Sequence, residues 1–372
     1  MSIQSLVAGR LAYVSGSRTV LSMLKKCIAW KDLTFVSSDF HRQYFPLASD
    51  FGPVNLGVVQ RFYTAMSYRI SSQPDTTLVY FFEDNFKAQA NASFLLGTFL
   101  MLYFSWTAEQ AAESFAGRCA PFELVDFCDA TISTPVYRIS LRHCLRGLAR
   151  AVDLGWYHAA KFDSRLYERL DRASNGFIHR ICPSLIAFQG PQRPGSPLIE
   201  PKKTALPPEH FLPIFVELGV ASVIRLNEPD TYDPAVFERA GIKHHDLYFD
   251  ETAAPPDAIV ERFLAICDGS PGLVAVHCRA GLGRTGTLAA LWLMRRARFG
   301  ADEAVGWLRI VRPGSVIGPQ QEYLKACEGR AGQVSPGRRP IAAPGSDRDR
   351  PQSGEPLSES AAVAPADLGG WT

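Results

Sequence analysis

Short apolar runs alternate along the chain with longer stretches whose apolar residues recur at helical spacing. The short runs, which are typical of buried strands, lie at residues 78–82, 221–226, 242–249 and 273–276. Helical spacing is found at residues 56–66, 86–103, 108–116, 209–218, 257–267 and 301–311. Thr107 and Gln110 form a predicted capping box before the third of these helices. The alternation predicts an α/β fold built from βα units.

The apolar pattern stops near residue 330, where Pro, Gly, Ser, Arg and Asp become dominant. Such a segment buries too little apolar surface to offset its conformational entropy, so we expect a disordered tail. The remaining part of the 372 residues is long enough for two domains. Residues 156–175 are charged and compatible with a helix, and they are predicted to link the two halves.

Composition changes this picture little. Apolar residues make up 47% of the chain and charged residues 20%, and the formal net charge of +2 gives no sign of nucleic-acid binding. The most apolar run, residues 92–106, is too short to span a bilayer, so no membrane span is expected. Eight cysteines lack metal-ligand spacing, which favours a reducing compartment, cytoplasmic and/or nuclear.

Candidate chemistry lies at residues 274–287, which read VAVHCRAGLGRTGT. A buried strand leads into His-Cys, a glycine-rich loop, Arg-Thr and the start of a helix. This arrangement directs successive backbone N–H groups at one point, and the helix N-terminus adds positive potential. The sequence therefore predicts a phosphate site, and we refer to residues 278–284 as the anion loop.

The same positive field favours the thiolate form of Cys278, and Arg284 offers a planar fork to two phosphate oxygens. His277 is expected to orient the loop rather than to contact substrate. The residues expected to line the phosphate through the loop backbone are Arg279, Ala280, Gly281, Leu282 and Gly283. The alternative, a buried cysteine with glycines that serve only the turn, is disfavoured because all these features coincide in order.

His143, Cys144 and Arg150 repeat the spacing His-Cys-x5-Arg. Their neighbours show helical apolar spacing, and a continuous helix cannot direct its N–H groups at an anion beside Cys144. We therefore interpret Cys144 as a core residue.

The sequence resembles the CDC14 family of dual-specificity phosphatases, which are cysteine-dependent. The resemblance rests on HCRAGLGRTGTLAA (residues 277–290), RPGSVIGPQQ (312–321), IRLNEPDTYD (224–233), DFGPVNLG (50–57) and LYERLDRASNG (166–176). It extends from about residue 10 to about residue 330.

The resemblance implies two tandem dual-specificity-phosphatase-like domains joined by a linker helix, of which only the second is catalytic. We expect these domains at residues 1–155 and 177–330, with the linker helix at 156–176 and the tail at 331–372. The family needs no metal or organic cofactor. The resemblance leaves the oligomeric state open.

The resemblance also implies roles for individual residues. Cys278 would attack phosphorus and form a phosphocysteine, Arg284 would clamp the phosphate, and Thr285 would assist release of the thiolate. Gln320 and Gln321 would place the hydrolytic water.

The family's general acid is an aspartate on a mobile loop, here FDETAAPPD at residues 249–257. The family's spacing selects Glu251, whereas residue type selects its neighbour Asp250. Both remain candidates, and the alternative is that both are solvated loop charges.

The family's usual substrates are phosphoserine-proline sites made by cyclin-dependent kinases, with a basic residue held in an acidic groove. Candidate groove residues are Glu168, Asp171 and Glu209, although Ser174 stands where the family has a further acid, and all three could be solvated charges. Alternative functions are a phosphatase of phosphoinositides or RNA, or a phosphate-binding scaffold without turnover. Leu282 stands where lipid phosphatases of this superfamily carry lysine, which argues against the lipid.

Overall fold

The computed structural model describes residues 3–17, 19–20, 22–23, 32–37, 39–116, 124–131, 136–192, 206–251 and 253–331. Residues Met1–Pro340 form one compact unit. Apart from Ala331, the predicted tail lies outside the described residues. The predicted domain boundaries stay predictions.

The first half contains a four-stranded sheet. Its strands are β1 (Gln4–Val7), β2 (Leu11–Gly16), β3 (Leu33–Ser37) and β4 (Thr77–Glu83), in the order β1-β2-β4-β3. Strand β4 is parallel to both of its neighbours, and β1 pairs antiparallel with β2 at the edge. The five central residues of β4 are buried, which explains its uninterrupted apolar sequence.

Helices and a small hairpin accompany this sheet. The helices are α1 (Leu56–Ser72), α2 (Phe86–Phe104), α3 (Ala108–Glu113) and α4 (Leu141–Asp153), and the hairpin pairs β5 (Phe127–Cys128) with β6 (Arg138–Ile139). All four helices begin with a capping side chain, and the predicted Thr107–Gln110 capping box is confirmed. The second His-Cys-x5-Arg sequence, at residues 143–150, lies in α4. Cys144 is fully buried there and burial raises the pKa of its thiol, so its interpretation as a core residue is confirmed.

The linker helix α5 (Ser164–Leu170) is shorter than the predicted helix over residues 156–176. The chain leaves α4 through Gly155, which adopts a positive φ of 71° that ends helical geometry. A new helix starts only at Asp163, whose side chain accepts a hydrogen bond from the Leu166 N–H. The helix ends at its C-cap, Asp171. Gly155 and the N-cap Asp163 delay its start, so the linker helix has only seven residues.

The second half contains a five-stranded sheet. Its strands are β7 (His179–Cys182), β8 (Leu185–Gln189), β9 (Val220–Arg225), β10 (Lys243–Asp246) and β11 (Leu273–Cys278), in the order β10-β9-β11-β8-β7. Strand β11 is parallel to both neighbours, and all six of its residues are buried. Its carboxyl end therefore lies at the centre of the sheet, where α/β folds bind ligands.

The helices of this half are α6 (Pro208–Leu218), α7 (Ala235–Arg239), α8 (Asp257–Gly269), α9 (Gly283–Ala297), α10 (Ala301–Val311) and α11 (Gln320–Ala331). Helix α9 begins at Gly283, inside the anion loop. Short 3₁₀ turns lie at Phe40–Arg42, Ala173–Asn175 and Pro229–Thr231. Among the described helices, none combines the length and apolar character needed to cross a membrane.

The two halves pack together where α4 crosses α10. A Cβ atom on Gly147 would lie 2.5 Å from the carbonyl oxygen of Glu303, and one on Gly306 would lie 2.9 Å from that of His143. These separations are too short for a side chain, so the two glycines permit close backbone contact. One hydrophobic core cluster contains residues of both halves.

Candidate active site

The anion loop follows directly on the carboxyl end of β11. Cys278 is the last residue of the strand and is only 4% exposed, and its register partner on β8 is Gln189. Helix α9 starts five residues later and points its N-terminus at the loop. The strand, the loop and the helix therefore form the anion-binding arrangement that the sequence predicts.

Arg284 lies in the first turn of α9 and is 1% exposed. Its Nη1 donates to the carbonyl oxygen of Phe249 at 3.1 Å, which fixes the guanidinium. Its Nε and Nη2 are buried and find no hydrogen-bond acceptor within the described residues. Buried donors without an acceptor are unfavourable, so this edge of Arg284 suits a bound anion.

Thr285 is fully buried beside Arg284, and its hydroxyl also finds no partner in the described part of the chain. Gln320 packs on the loop from the other side. With its amide nitrogen turned toward acceptors, it donates to the carbonyl oxygens of Gly283 and Ile317, both at 3.2 Å. Gln320 is therefore next to the loop, and its expected role in placing water stays a prediction.

Gln321 makes different contacts from those of Gln320. Its Oε1 accepts from Arg309 at 3.2 Å, and its Nε2 donates to the carbonyl oxygen of Arg138 at 2.8 Å. Both ends of this amide join α11 to α10 and to the first half of the molecule. These contacts give no support to a role in placing water, and the expected role of Gln321 stays a prediction.

The backbone of the anion loop packs closely against β8 and is bound by Arg312. A Cβ on Gly281, whose φ is +71°, would lie 2.0 Å from the carbonyl oxygen of Phe188. Arg312 donates from Nε to the Gly281 carbonyl at 2.7 Å and from Nη2 to the Ala280 carbonyl at 2.9 Å. Arg279 and Ala280 are exposed at the mouth of the loop.

His277 is fully buried, and burial lowers its pKa to about 3, so the imidazole is neutral. Its Nδ1 lies 3.0 Å from the Cys278 carbonyl oxygen, which only accepts, so Nδ1 carries the proton. Its Nε2 then accepts from the Tyr232 hydroxyl at 2.8 Å, and that oxygen accepts from His244 Nε2 at 2.8 Å. His277 thus contacts the backbone of the nucleophile, as expected of an orienting residue.

The two candidate acids differ in position. Glu251 Oε2 lies 3.9 Å from Arg284 Nη2, and a second carboxylate, that of Glu228, lies 3.9 Å from Nη1. Asp250 accepts a hydrogen bond from the Tyr248 hydroxyl at 2.8 Å. Glu251 is therefore the candidate that reaches the guanidinium.

Two of the three candidate groove acids have partners on the first half. Glu168 forms an ion pair with Arg61, and Asp171 accepts from Asn55 Nδ2 at 3.0 Å. Glu209 is exposed in the first turn of α6. No contact joins Glu209 to the other two acids within the described residues, and the groove stays a prediction.

At the matching position of the first sheet, the structure places a glutamate instead of a cysteine. Strand β4 occupies the central place in its sheet, as β11 does, and its sequence LVYFFE ends in Glu83 where LVAVHC ends in Cys278. The Glu83 carboxylate is bound by His41 Nε2 at 2.8 Å and by Arg42 Nε at 2.9 Å. This corner of the first sheet is thus filled by an internal ion pair.

Sequence reasoning missed Arg312 and Tyr232. A signal for Arg312 was present, because two arginines interrupt the apolar end of α10 in WLRIVRPG, and cations in such a position must be buried and paired. No local signal marks Tyr232, whose partners come from β10 and β11.

Each half of the chain matches a family of known proteins. Residues 5–151 match the family described as the N-terminal half of dual specificity protein phosphatases. Residues 208–324 match the family described as Swiss Army Knife protein, DSP-PTPase phosphatase domain. The predicted fold class, with two domains of the dual-specificity phosphatase type, is confirmed.

Individual relatives of this chain are named as CDC14 phosphatases. Dual specificity protein phosphatase CDC14A of Mus musculus is 36% identical over 79% of this chain and 49% of its own length. CDC14C of Homo sapiens is 37% identical over 78% of this chain and 64% of its own. The CDC14 homolog of Schizosaccharomyces pombe, a tyrosine-protein phosphatase, is 32% identical over 88% of this chain and 64% of its own.

The chain thus spans from about half to less than two thirds of these relatives. Both halves nevertheless match, and the anion loop carries the cysteine and arginine whose spacing first indicated the resemblance. The chain belongs to the CDC14 family of dual specificity protein phosphatases.

Proposed function

We propose that this protein is a phosphatase that hydrolyses phosphoserine, phosphothreonine and phosphotyrosine in proteins through a phosphocysteine intermediate. The observation that carries the proposal is the buried edge of Arg284, whose Nε and Nη2 have no acceptor among the described residues. This edge lies in the loop that follows Cys278. A phosphate monoester supplies the missing acceptors and places its phosphorus near the thiolate.

In the proposed reaction the Cys278 sulfur attacks phosphorus, the P–S bond forms, and the P–O bond to the substrate breaks. Arg284 and the loop N–H groups stabilise the charge on the equatorial oxygens. Water then attacks phosphorus, the P–S bond breaks, and inorganic phosphate leaves. The unpartnered Thr285 hydroxyl suits donation to the departing thiolate, and Gln320 suits the placement of the water.

The leaving serine alkoxide needs a proton. Glu251 is supported as the donor because its carboxylate approaches Arg284, which binds the phosphate in this proposal. Asp250 remains the alternative donor, and its hydrogen bond to Tyr248 argues for a role at the rim instead.

Phosphoserine-proline sites made by cyclin-dependent kinases are the proposed substrates, and membership of the family supports them. An apolar rim adds support, since Leu47 of the first half packs on Gly314 and Leu282 borders the same point. Because the proposed reaction requires a free thiolate, we expect the protein to act in the cytoplasm and/or the nucleus.

Turnover on matched substrates tests the proposal. The set contains phosphoserine-proline peptides with and without a following lysine, a phosphothreonine-proline peptide, a phosphotyrosine peptide, an inositol phosphate and a phosphorylated RNA end. We expect hydrolysis of the phosphoserine-proline peptides by wild type and none by Cys278→Ser. Hydrolysis of only the inositol phosphate or the RNA would contradict the substrate class, and binding of the peptides without turnover would favour a scaffold.

A further inference from the structure

A continuous chain of polar contacts runs from the first half of the molecule to the back of the anion loop. It begins at Asn55, the N-cap of α1, which donates to Asp171 Oδ2 at 3.0 Å. Asp171 Oδ1 lies 3.0 Å from His179 Nε2 on β7. His179 Nδ1 lies 2.8 Å from Arg312 Nη1. Arg312 then contacts two carbonyl oxygens of the anion loop.

His179 is the middle member of this chain and contacts both the carboxylate and the guanidinium. His179 Nδ1 also lies 3.0 Å from the Phe177 carbonyl oxygen, which Arg312 Nη1 contacts as well. Burial lowers the pKa of His179, so the ring is neutral. The neutral imidazole therefore lies between the Asp171 carboxylate and the Arg312 guanidinium, within 3.0 Å of the first and 2.8 Å of the second.

The charge of Arg312 makes the carboxylate necessary. Arg312 is 3% exposed, and burial lowers its pKa to about 10, so it remains a cation at neutral pH. The electrostatic interactions of Arg312 with Cys278 and Asp171 act against that lowering of its pKa. Because a buried cation needs a compensating anion, Asp171 helps to keep Arg312 charged and in place.

Arg312 in turn sets the orientation of the loop peptides. It binds the carbonyl oxygens of Ala280 and Gly281. In a planar trans peptide the C=O and the following N–H point in opposite directions, so the N–H groups of Gly281 and Leu282 face away from Arg312. These N–H groups belong to the loop that would bind phosphate.

We propose that Asp171 and His179 are positioning residues that act through Arg312 to hold the peptide planes of the anion loop in the orientation that binds phosphate. The inference rests on the proposed phosphatase activity. It assigns Asp171 a role in turnover of every substrate, including one too small to touch the linker. A groove residue would affect only substrates that reach it.

Turnover of 4-nitrophenyl phosphate separates the two roles. We expect Asp171→Asn to lower kcat about tenfold, because a misplacement of the order of 1 Å in a catalytic group can cost up to about a hundredfold. It should also weaken inhibition by inorganic phosphate, and Asp171→Glu, which keeps the charge, should recover part of both. His179→Phe should change both in the same direction as Asp171→Asn.

Glu217→Gln is the matched control. Glu217 lies on α6 and pairs at the exposed surface with Arg169 of the linker helix α5. It has no contact with Arg312 in the described part of the chain. Its turnover should equal that of wild type. If Asp171→Asn should fail to fold, Asn55→Ser gives a second test, because serine keeps the helix cap and removes the donor to Asp171 without adding a charge, and it should change turnover and phosphate inhibition in the same direction.

Three results would overturn the inference. The first is wild-type kcat on 4-nitrophenyl phosphate in a folded Asp171→Asn, with loss confined to peptides that carry a basic residue. The second is a lowered melting temperature in that variant with unchanged kcat and unchanged phosphate inhibition. The third is a wild type that hydrolyses neither 4-nitrophenyl phosphate nor any phosphopeptide, which would contradict the proposed function itself.

Discussion

The Glu251 carboxylate lies 3.9 Å from Arg284 Nη2, whereas the adjacent Asp250 carboxylate is bonded to the Tyr248 hydroxyl at 2.8 Å. Two neighbouring acids therefore have different surroundings. Only Glu251 approaches the guanidinium edge that suits a phosphate. Its side chain is one methylene longer than that of aspartate.

Glu251→Gln should therefore lower kcat on a phosphoserine peptide by about a hundredfold or more, which is the range for loss of a general acid. The loss should be much smaller on 4-nitrophenyl phosphate, because its leaving group needs no proton. Asp250→Asn, the matched control, should stay within a few fold of wild type on both substrates. The reverse order, with Asp250→Asn the more damaged on the peptide, would identify Asp250 as the donor.

Arg61 should suppress selection for basic residues in the substrate. It pairs with Glu168, which would otherwise present a free carboxylate. The pair is partly exposed, so it is worth at most about 1 kcal/mol, or about fivefold in specificity. We expect wild type to show little preference between phosphoserine-proline peptides with and without lysine, and Arg61→Gln to raise the ratio of their kcat/KM values about two- to fivefold.

The matched control for Arg61 is Arg169→Gln, which frees Glu217 on the neighbouring surface. It should leave the ratio unchanged. A strong lysine preference in wild type that Arg61→Gln does not alter would show that the preference depends on other residues.

Acid should destabilise the fold through its buried neutral histidines. Burial lowers the pKa of His244 from 6.5 to about 4, and that of His277 from 6.5 to about 3. The unfolded chain therefore takes up protons below about pH 6.5 that the folded protein does not bind. This contribution is fully present above pH 6.5 and is lost as the pH falls toward 4, at up to about 1.4 kcal/mol per pH unit for each histidine.

Denaturant unfolding at a series of pH values checks this. His244→Gln should show a shallower loss of unfolding free energy between about pH 6.5 and about pH 4 than wild type. His158→Gln, at an exposed position, should match the wild-type slope. Equal slopes in all three proteins would contradict the contribution of His244.

Gly147 should be intolerant of any side chain. A Cβ there would lie 2.5 Å from the Glu303 carbonyl oxygen and 2.8 Å from the Trp307 nitrogen, both backbone atoms of α10. Gly147→Ala should lower the unfolding free energy by about 1–3 kcal/mol, as overpacking typically does. Gly269→Ala is the control, because a Cβ at the end of α8 meets no atom within 4 Å, and an equal loss there would contradict the packing explanation.

The anion loop and most of the elements around it could be predicted from the residue pattern. The run LVAV predicts a buried strand, the glycines predict a tight loop, and Arg-Thr precedes a helix, all within fourteen residues. The same holds for α10, which was predicted at its observed bounds, and for the Thr107–Gln110 capping box. These features depend on spacing along the chain, so local physics suffices to predict them.

The contacts between the anion loop and the elements around it depend on the tertiary structure. Arg312 and His179 are 133 positions apart in sequence, and they meet because β7 and the end of α10 pack on the same side of the loop. The same packing engages Gln321 with Arg138 of the first half and Glu168 with Arg61. Such pairs are set by the sheet order and by the close approach of α4 to α10, and no local pattern encodes which side chains these bring together.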